Sequence, residues 1–247
     1  MPAGQSNVAF VYSLTADYTQ LGFMKQASFP TTTSLVFEFP LSWSQPFLDS
    51  MARRGGSMPY RRWSLIAFDA ALREILRYNW RETTVMRIRF PMLSNQSTTR
   101  LLQCTIECAV AGVTPGDPNA RSASAGSGAP APVLTRKDET MFAIQWKIDG
   151  LPGAEYSVSK VAAFDLRGGV SDLVLTSTPE KLADPFRGWL ASGNTPRSGT
   201  LNCLDPSLRT FLSLKFTNLR VRSVTPAFTT DSPGPATIHL SYSSISF

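Results

Sequence analysis

The stretch WSLIAFDAALREILRYNW, residues 63–80, decides how the chain is read. Leu65, Phe68, Ala71, Leu72, Ile75 and Leu76 recur at helical spacing, with Arg73, Glu74 and Arg77 elsewhere on the wheel. That spacing predicts an amphipathic α-helix of about three to four turns with one apolar stripe. Around this segment the pattern changes to a period of two, so the fold must place one long helix among strands.

The strands are read from strict alternation between Pro, Gly, Ser and Asn clusters. In SLVFEFPL, residues 34–41, Leu35, Phe37, Phe39 and Leu41 share one face. VMRIRF, residues 85–90, sets Met86, Ile88 and Phe90 inward and Arg87 and Arg89 outward. LLQCTIECAV, residues 101–110, turns Leu102, Cys104, Ile106, Cys108 and Val110 to one side, as a half-buried strand does. MFAIQWKI, residues 141–148, repeats the pattern with Phe142, Ile144, Trp146 and Ile148. Residues 7–14, 156–164, 172–177, 210–216, 219–224 and 236–247 supply further strands, and a short helical turn is expected over 45–53.

Residues 111–139, AGVTPGDPNARSASAGSGAPAPVLTRKDE, have no periodicity and bury little apolar surface, so they are expected to form a long exposed loop. A second loop is expected from TSTPEKLADPFRGWLASGNTPRSG, residues 176–199. No internal repeat at a fixed period is read. One domain spanning residues 1–247 is expected, because either half alone holds too few strands to close a sandwich. Many short strands, long loops and one inserted helix predict an all-β fold: an antiparallel jelly-roll sandwich of about eight strands. An immunoglobulin-like sandwich has no natural place for so long a helix between early strands.

The chain has 247 residues, of which 43% are apolar and 17% charged, so much of its surface is uncharged. A net charge of +6 favours an acidic partner such as RNA. No Lys or Arg precedes Lys25, so a basic N-terminal arm is not the means of holding one. No secretory leader and no apolar run of about 20 residues are read, so no membrane partner is expected. Three cysteines give no disulfide framework, which fits a reduced intracellular setting.

Chemistry is sparse. His239 is the single histidine, and its strand neighbours Ile238, Leu240 and Tyr242 leave it facing solvent or a subunit. Cys104 and Cys108 are spaced as a metal pair, but alternation sends both into the apolar face. Neither a metal site nor a cofactor motif is read, and no catalytic residue is assigned. Glu38, Glu107, Asp149 and Asp165 supply carboxylates without a framing motif. The chain is therefore expected not to be an enzyme. The best binding candidate is RRGGSMPYRRW, residues 53–63. Arg53, Arg54, Arg61 and Arg62 suit phosphate, and Tyr60 and Trp63 suit stacking on unpaired bases. Arg73, Arg77, Arg87 and Arg89 are read as solvated or salt-bridged.

The helix, the strand TTVMRIRFPM, the strand TTRLLQCTIECAV and the closing strands SLKFTNLRVRSVTPA and ATIHLSYSSISF follow an order that resembles viral jelly-roll capsid proteins. The resemblance is to the picornavirus-like class of small icosahedral RNA viruses, including plant comoviruses and nepoviruses. RYNWRETTVMRIRF, with Trp80 before the strand, stands where that class enters a strand from a helix. The resemblance spans residues 30–247 and implies a structural protein that self-assembles into a virion shell around RNA. It implies partners of the same kind, sister capsid proteins and packaged RNA held by non-specific electrostatics, with assembly in the host cytoplasm. Two alternatives are a viral movement protein binding single-stranded nucleic acid and a β-sandwich carbohydrate-binding or hydrolase domain.

Overall fold

In the computed structural model, residues 11–17, 19–24, 26–41, 44–52, 57–69, 73–95, 103–116, 143–154, 158–166, 171–177, 183–228 and 233–246 are described. The chain opens with β1 (Val11–Ala16), β2 (Thr19–Met24), β3 (Gln26–Thr31) and β4 (Ser34–Pro40), then the helix α1 (Gln45–Ala52). The strands β5 (Arg62–Phe68), β6 (Glu74–Phe90), β7 (Leu93–Ser94) and β8 (Gln103–Gly116) follow. After them come β9 (Ala143–Ile148), β10 (Lys160–Val161), β11 (Phe164–Leu166), β12 (Ser171–Ser177) and the helix α2 (Asp184–Ala191). The last strands are β13 (Arg197–Leu204), β14 (Thr210–Phe228), β15 (Pro233–Tyr242) and β16 (Ser244–Ser246).

The chain is all-β and antiparallel, as its alternation predicts. The first sheet runs β2-β1-β5-β6-β8-β4-β3, with β11 on the end of β6; the second runs β7-β10-β12-β15-β14-β13-β9, with β16 on β14. Sixteen strands are present among the described residues rather than about eight. An eight-stranded jelly roll mixes early and late strands in both sheets, whereas here β12 to β16 all belong to the second.

The long helix expected at residues 63–80 is not formed. Residues 62–68 and 74–90 are two strands of one hairpin, with Trp63 opposite Trp80 and Ala67 opposite Leu76. The helix-favouring Ala-Ala-Leu-Arg-Glu run is too short to sustain a helix, which is marginal below about 12 residues without packing. Its flanks carry Trp63, Ile66, Phe68, Tyr78 and Trp80, residue types that suit a pleated surface. A register shift between Ala67 and Phe68 breaks the strict pairing of β5 with β6, and this shift imitates a helical period.

The strand expected over 156–164 is instead two short ones, β10 in the second sheet and β11 beside β6, with 156–157 outside the described residues; the following expectations stand. Leu35, Phe37 and Phe39 of β4, Cys104, Ile106, Cys108 and Val110 of β8, and Ile144, Trp146 and Ile148 of β9 are all buried. The short helix over 45–53 is α1, and 210–216 with 219–224 form the single strand β14. Three details are corrected. Met86 faces outward at 57% exposure, because burial falls on Thr83 and Val85 and then on Ile88 and Phe90, so the alternation skips a beat at Met86 and Arg87. β8 continues through residues 111–116 into the expected loop, helped by Thr114, whose hydroxyl donates to the Asn79 carbonyl at 3.3 Å. The rest of that loop, residues 117–139, lies outside the described residues. The second expected loop contains α2, which Pro185 starts and whose Phe186 and Trp189 are buried.

The chain divides into two compact units, one from residues 1–86 and 105–137, the other from residues 87–104 and 138–247. In the first, Phe37, Phe39 and Phe47 meet edge to face with centroids 5.3–5.8 Å apart, a geometry that favours aromatic packing. In the second, Trp146 packs on Phe216 at 5.3 Å, and Trp189 donates its indole N–H to the Thr195 carbonyl at 2.9 Å. Asn95 joins the two ends of the second sheet's strand order: it donates to the Val158 carbonyl at 3.2 Å and accepts from the Ile144 amide at 2.6 Å.

Candidate nucleic-acid interface

The basic stretch lies beside the hairpin β5–β6. Ser57 bridges to Thr84, and the Met58 amide donates to the Thr83 carbonyl at 2.9 Å, so the segment before β5 runs along β6. Arg53 and Arg54 lie outside the described residues. Asp17, at φ +45°, organises the start of β5: its carboxylate accepts the Arg61 amide at 3.2 Å and the Arg62 amide at 2.9 Å. Its own amide donates to the Arg62 carbonyl at 2.8 Å. The backbone is thereby fixed while the side chains of Arg61 and Arg62 stay exposed.

Trp63 does not serve as a stacking platform for bases. It is 1% exposed, it lies over Trp80 at 6.2 Å and 12°, and its indole N–H donates to the Tyr60 carbonyl at 3.3 Å. Alternation along β5 turns it to the core, with Leu65 and Ala67 following on the same face. Trp80 is anchored in turn by donating to the Thr83 hydroxyl at 2.9 Å and by the edge of Phe29 at 5.8 Å. Tyr60 is half-buried, its ring edge against Trp63 at 5.5 Å. Residues 57–63 are thus a lead-in to β5 pinned by an aromatic pair.

The sequence reading missed Arg81, which faces Arg62 directly across the β5–β6 pair and is exposed. Arg62 and Arg81 thus set two cationic side chains side by side across the pair, a charge that phosphate matches. Arg61, Arg62 and Arg81 are therefore the cationic residues the fold brings to one end of this hairpin. The only trace of this in the sequence is the spacing that puts 62 and 81 in register, which is hidden while the segment is read as a helix.

Arg73, Arg77, Arg87 and Arg89 meet carboxylates. Arg77 pairs with Glu74 through two hydrogen bonds of 2.7 and 2.6 Å, and Arg73 with Asp69 at 2.8 Å. Arg87 and Arg89 both bond Asp165. Burial alone would raise the Asp165 carboxyl, but the hydrogen bonds and charges of Arg87 and Arg89 outweigh it and hold it below the usual aspartate value.

Burial pushes the Cys203 thiol up to about 12, and burial with the neighbouring Glu107 charge pushes Cys108 higher still, so both stay protonated and unreactive. Cys104 is buried as well, and no group of three His, Cys, Asp or Glu suited to a metal occurs among the described residues. His239 is half-buried on β15, opposite Val174 and Ser223.

No protein-family model matches the chain, and no curated protein matches it. Among solved structures it is similar to Hcp1 from Salmonella typhimurium at 18% identity, over 43% of this chain and 68% of that one, with a TM-score of 0.27.

Proposed function

We propose that the chain is a structural subunit that assembles with copies of itself into a closed protein shell, a capsid-type role, and encloses nucleic acid. The observation that carries this reading is on β6. Ile75 and Leu76 lie where the register of β6 shifts against β5, and both are exposed, at 42% and 39%. Met86, further along the same strand, is 57% exposed. Adjacent apolar side chains uncovered at one strand end suit burial against a second copy. The low charge of the sequence, 17%, points the same way. The absence of the long helix removes one element of the capsid resemblance, so the proposal rests on this surface. Arg61, Arg62 and Arg81 are the groups placed to meet phosphate.

Electron microscopy and light scattering of the purified protein test it. Closed shells of uniform size are expected from the native chain. Ile75→Asp with Leu76→Asp is expected to stay dispersed and folded at a cost of about 1–3 kcal/mol, since each side chain keeps more than half of its surface covered. A native chain that remains monomeric across pH and salt defeats the proposal. Replacing Arg61, Arg62 and Arg81 by Ala is expected to lower the salt dependence of RNA binding by about 0.7 in the log–log slope for each phosphate no longer neutralised. An unchanged slope removes these residues from the interface.

A further inference from the structure

The two units follow one plan. The first is built in the order β1, β4, α1, β5, β6, β8, and the second in the order β9, β12, α2, β13, β14, β15, with two strands between the first two members of each and β7 additional in the first series. Neighbours in the sheets match as well: β1-β5-β6-β8-β4-β3 in the first corresponds to β9-β13-β14-β15-β12-β10 in the second.

The correspondence holds residue by residue. In the first hairpin Trp63 faces Trp80, Leu65 faces Tyr78, Ala67 faces Leu76 and Phe68 faces Glu74, with a register shift after Ala67. In the second Gly199 faces Phe216, Leu201 faces Leu214, Cys203 faces Leu212 and Leu204 faces Thr210, with a shift after Cys203. Trp63 to Gly199 and Trp80 to Phe216 are both steps of 136, and the remaining pairs keep that offset.

At the same offset Asp69 and Asp205 close the two hairpin loops with Arg73 and Arg209. In each, the Asp amide donates to the Arg carbonyl, at 3.0 and 2.9 Å, and the Arg amide donates back to the Asp Oδ1, at 2.9 Å in both. In each, the guanidinium Nε donates to Asp Oδ2, at 2.8 and 2.9 Å. Glu82 and Asn218, again 136 apart, both take the left-handed backbone, at φ +56° and +53°. Asp17 and Asp149, at the ends of β1 and β9, donate their amides to the carbonyls of Arg62 and Ser198, again partners at that offset, at 2.8 and 2.9 Å. Both helices are eight residues long and carry Pro-Phe as their second and third residues, with Phe47 and Phe186 fully buried.

A hairpin cap can arise twice independently. A capped loop does not dictate a left-handed residue far along the strand, an Asp on the neighbouring strand, or a Pro-Phe helix before it. We infer that the units are tandem copies of one module, so that each chain carries its building module twice, and that the first copy alone presents the apolar contact on β6. The second half of this inference rests on the assembly reading. The positions equivalent to Ile75 and Leu76 are Phe211 and Leu212, apolar too, but Phe211 is half-buried and Leu212 is 3% exposed. One pair of module positions is thus filled alike in both copies and left uncovered in one.

Two experiments on the full chain separate the parts. The loop sequences Asp-Ala-Ala-Leu-Arg (69–73) and Asp-Pro-Ser-Leu-Arg (205–209) are exchanged through Ala70→Pro with Ala71→Ser, and through Pro206→Ala with Ser207→Ala. Equivalent hairpins accept both exchanges with about a twofold change in the unfolding constant, the spread of neutral substitutions. A chain that unfolds on either exchange, while Ala70→Gly with Ala71→Gly still folds, overturns the duplication.

Variants with one added cysteine, Leu76→Cys and Leu212→Cys, are then labelled with a water-soluble maleimide, the three native thiols being buried. Labelling at 76 in the dissociated chain, protection at 76 in particles and no labelling at 212 in either is the expected result. Equal labelling at 76 and 212 overturns the specialised first copy. Labelling at 76 that no condition suppresses, with 212 still protected and both loop exchanges accepted, overturns the assembly contact and leaves the duplication standing.

Discussion

Trp63→Ala is expected to cost about 3–5 kcal/mol, measured by urea unfolding, because the cavity left by a large buried ring adds to its lost transfer energy. The indole is 1% exposed and covers Trp80, so both faces of that pair lose packing at once. The Tyr60 carbonyl also loses its donor, and with it the hydrogen bond that holds the start of β5. The same variant separates the two roles suggested for the stretch 53–63. If Trp63 stacked on bases, its loss would weaken RNA binding at temperatures where the chain is still folded; from its place in the core, binding by the folded fraction is expected to be unchanged. Arg61→Ala is the converse, with little effect on unfolding and a measurable one on the salt slope.

Asp165→Asn is expected to cost about 1–3 kcal/mol at neutral pH, because it strips the charged partner from Arg87, whose side chain is only 17% exposed. Arg89, at 52% exposure, finds water instead and contributes less. The pH dependence has a definite sign. A carboxyl held below its unfolded value stabilises the fold above the ordinary aspartate pKa of about 3.9, and that contribution is lost as pH falls through the lower folded value. The native chain should therefore lose this contribution below about pH 4, and Asp165→Asn should flatten that acid limb. Unfolding midpoints measured from pH 7 to pH 2 decide the matter; parallel curves for the two proteins would exclude Asp165 as a source of the acid sensitivity.

How far the fold was legible depends on how each segment holds itself. β4, β8 and β9 bury every second residue, and alternation alone finds them. Residues 63–80 mislead because their turn carries no Gly, Asn or Pro; Asp69 is its one turn-forming residue, and it closes the turn through its side chain onto Arg73. The bulge after Ala67 and the left-handed Glu82 also shift the apolar phase, which makes a bent strand resemble a helix and misplaces Met86.

α2 stayed hidden because only Phe186 and Trp189 face inward, too few for a periodic stripe. The duplication escaped for a related reason: the two copies share register and backbone conformation rather than residue identity. Gly199 stands where Trp63 does, and a Cβ there would lie 2.6 Å from the Leu219 side chain. Of the candidate interface, Arg61 and Arg62 were legible as exposed cations, whereas the burial of Trp63 and the arrival of Arg81 opposite Arg62 required the strand register.

The two Asp–Arg capped loops also bear on how the chain acquires its structure. β5 with β6 and β13 with β14 are long pairings whose strands are separated by only a few residues, so their ends meet at a small entropic cost of loop closure. Pairs such as β4 with β8, or β12 with β15, join segments far apart in sequence and must wait for the intervening chain. A polypeptide with one such hairpin in each half has two local nuclei, and its amino-terminal half can begin to order on the ribosome before the carboxy-terminal half has been synthesised.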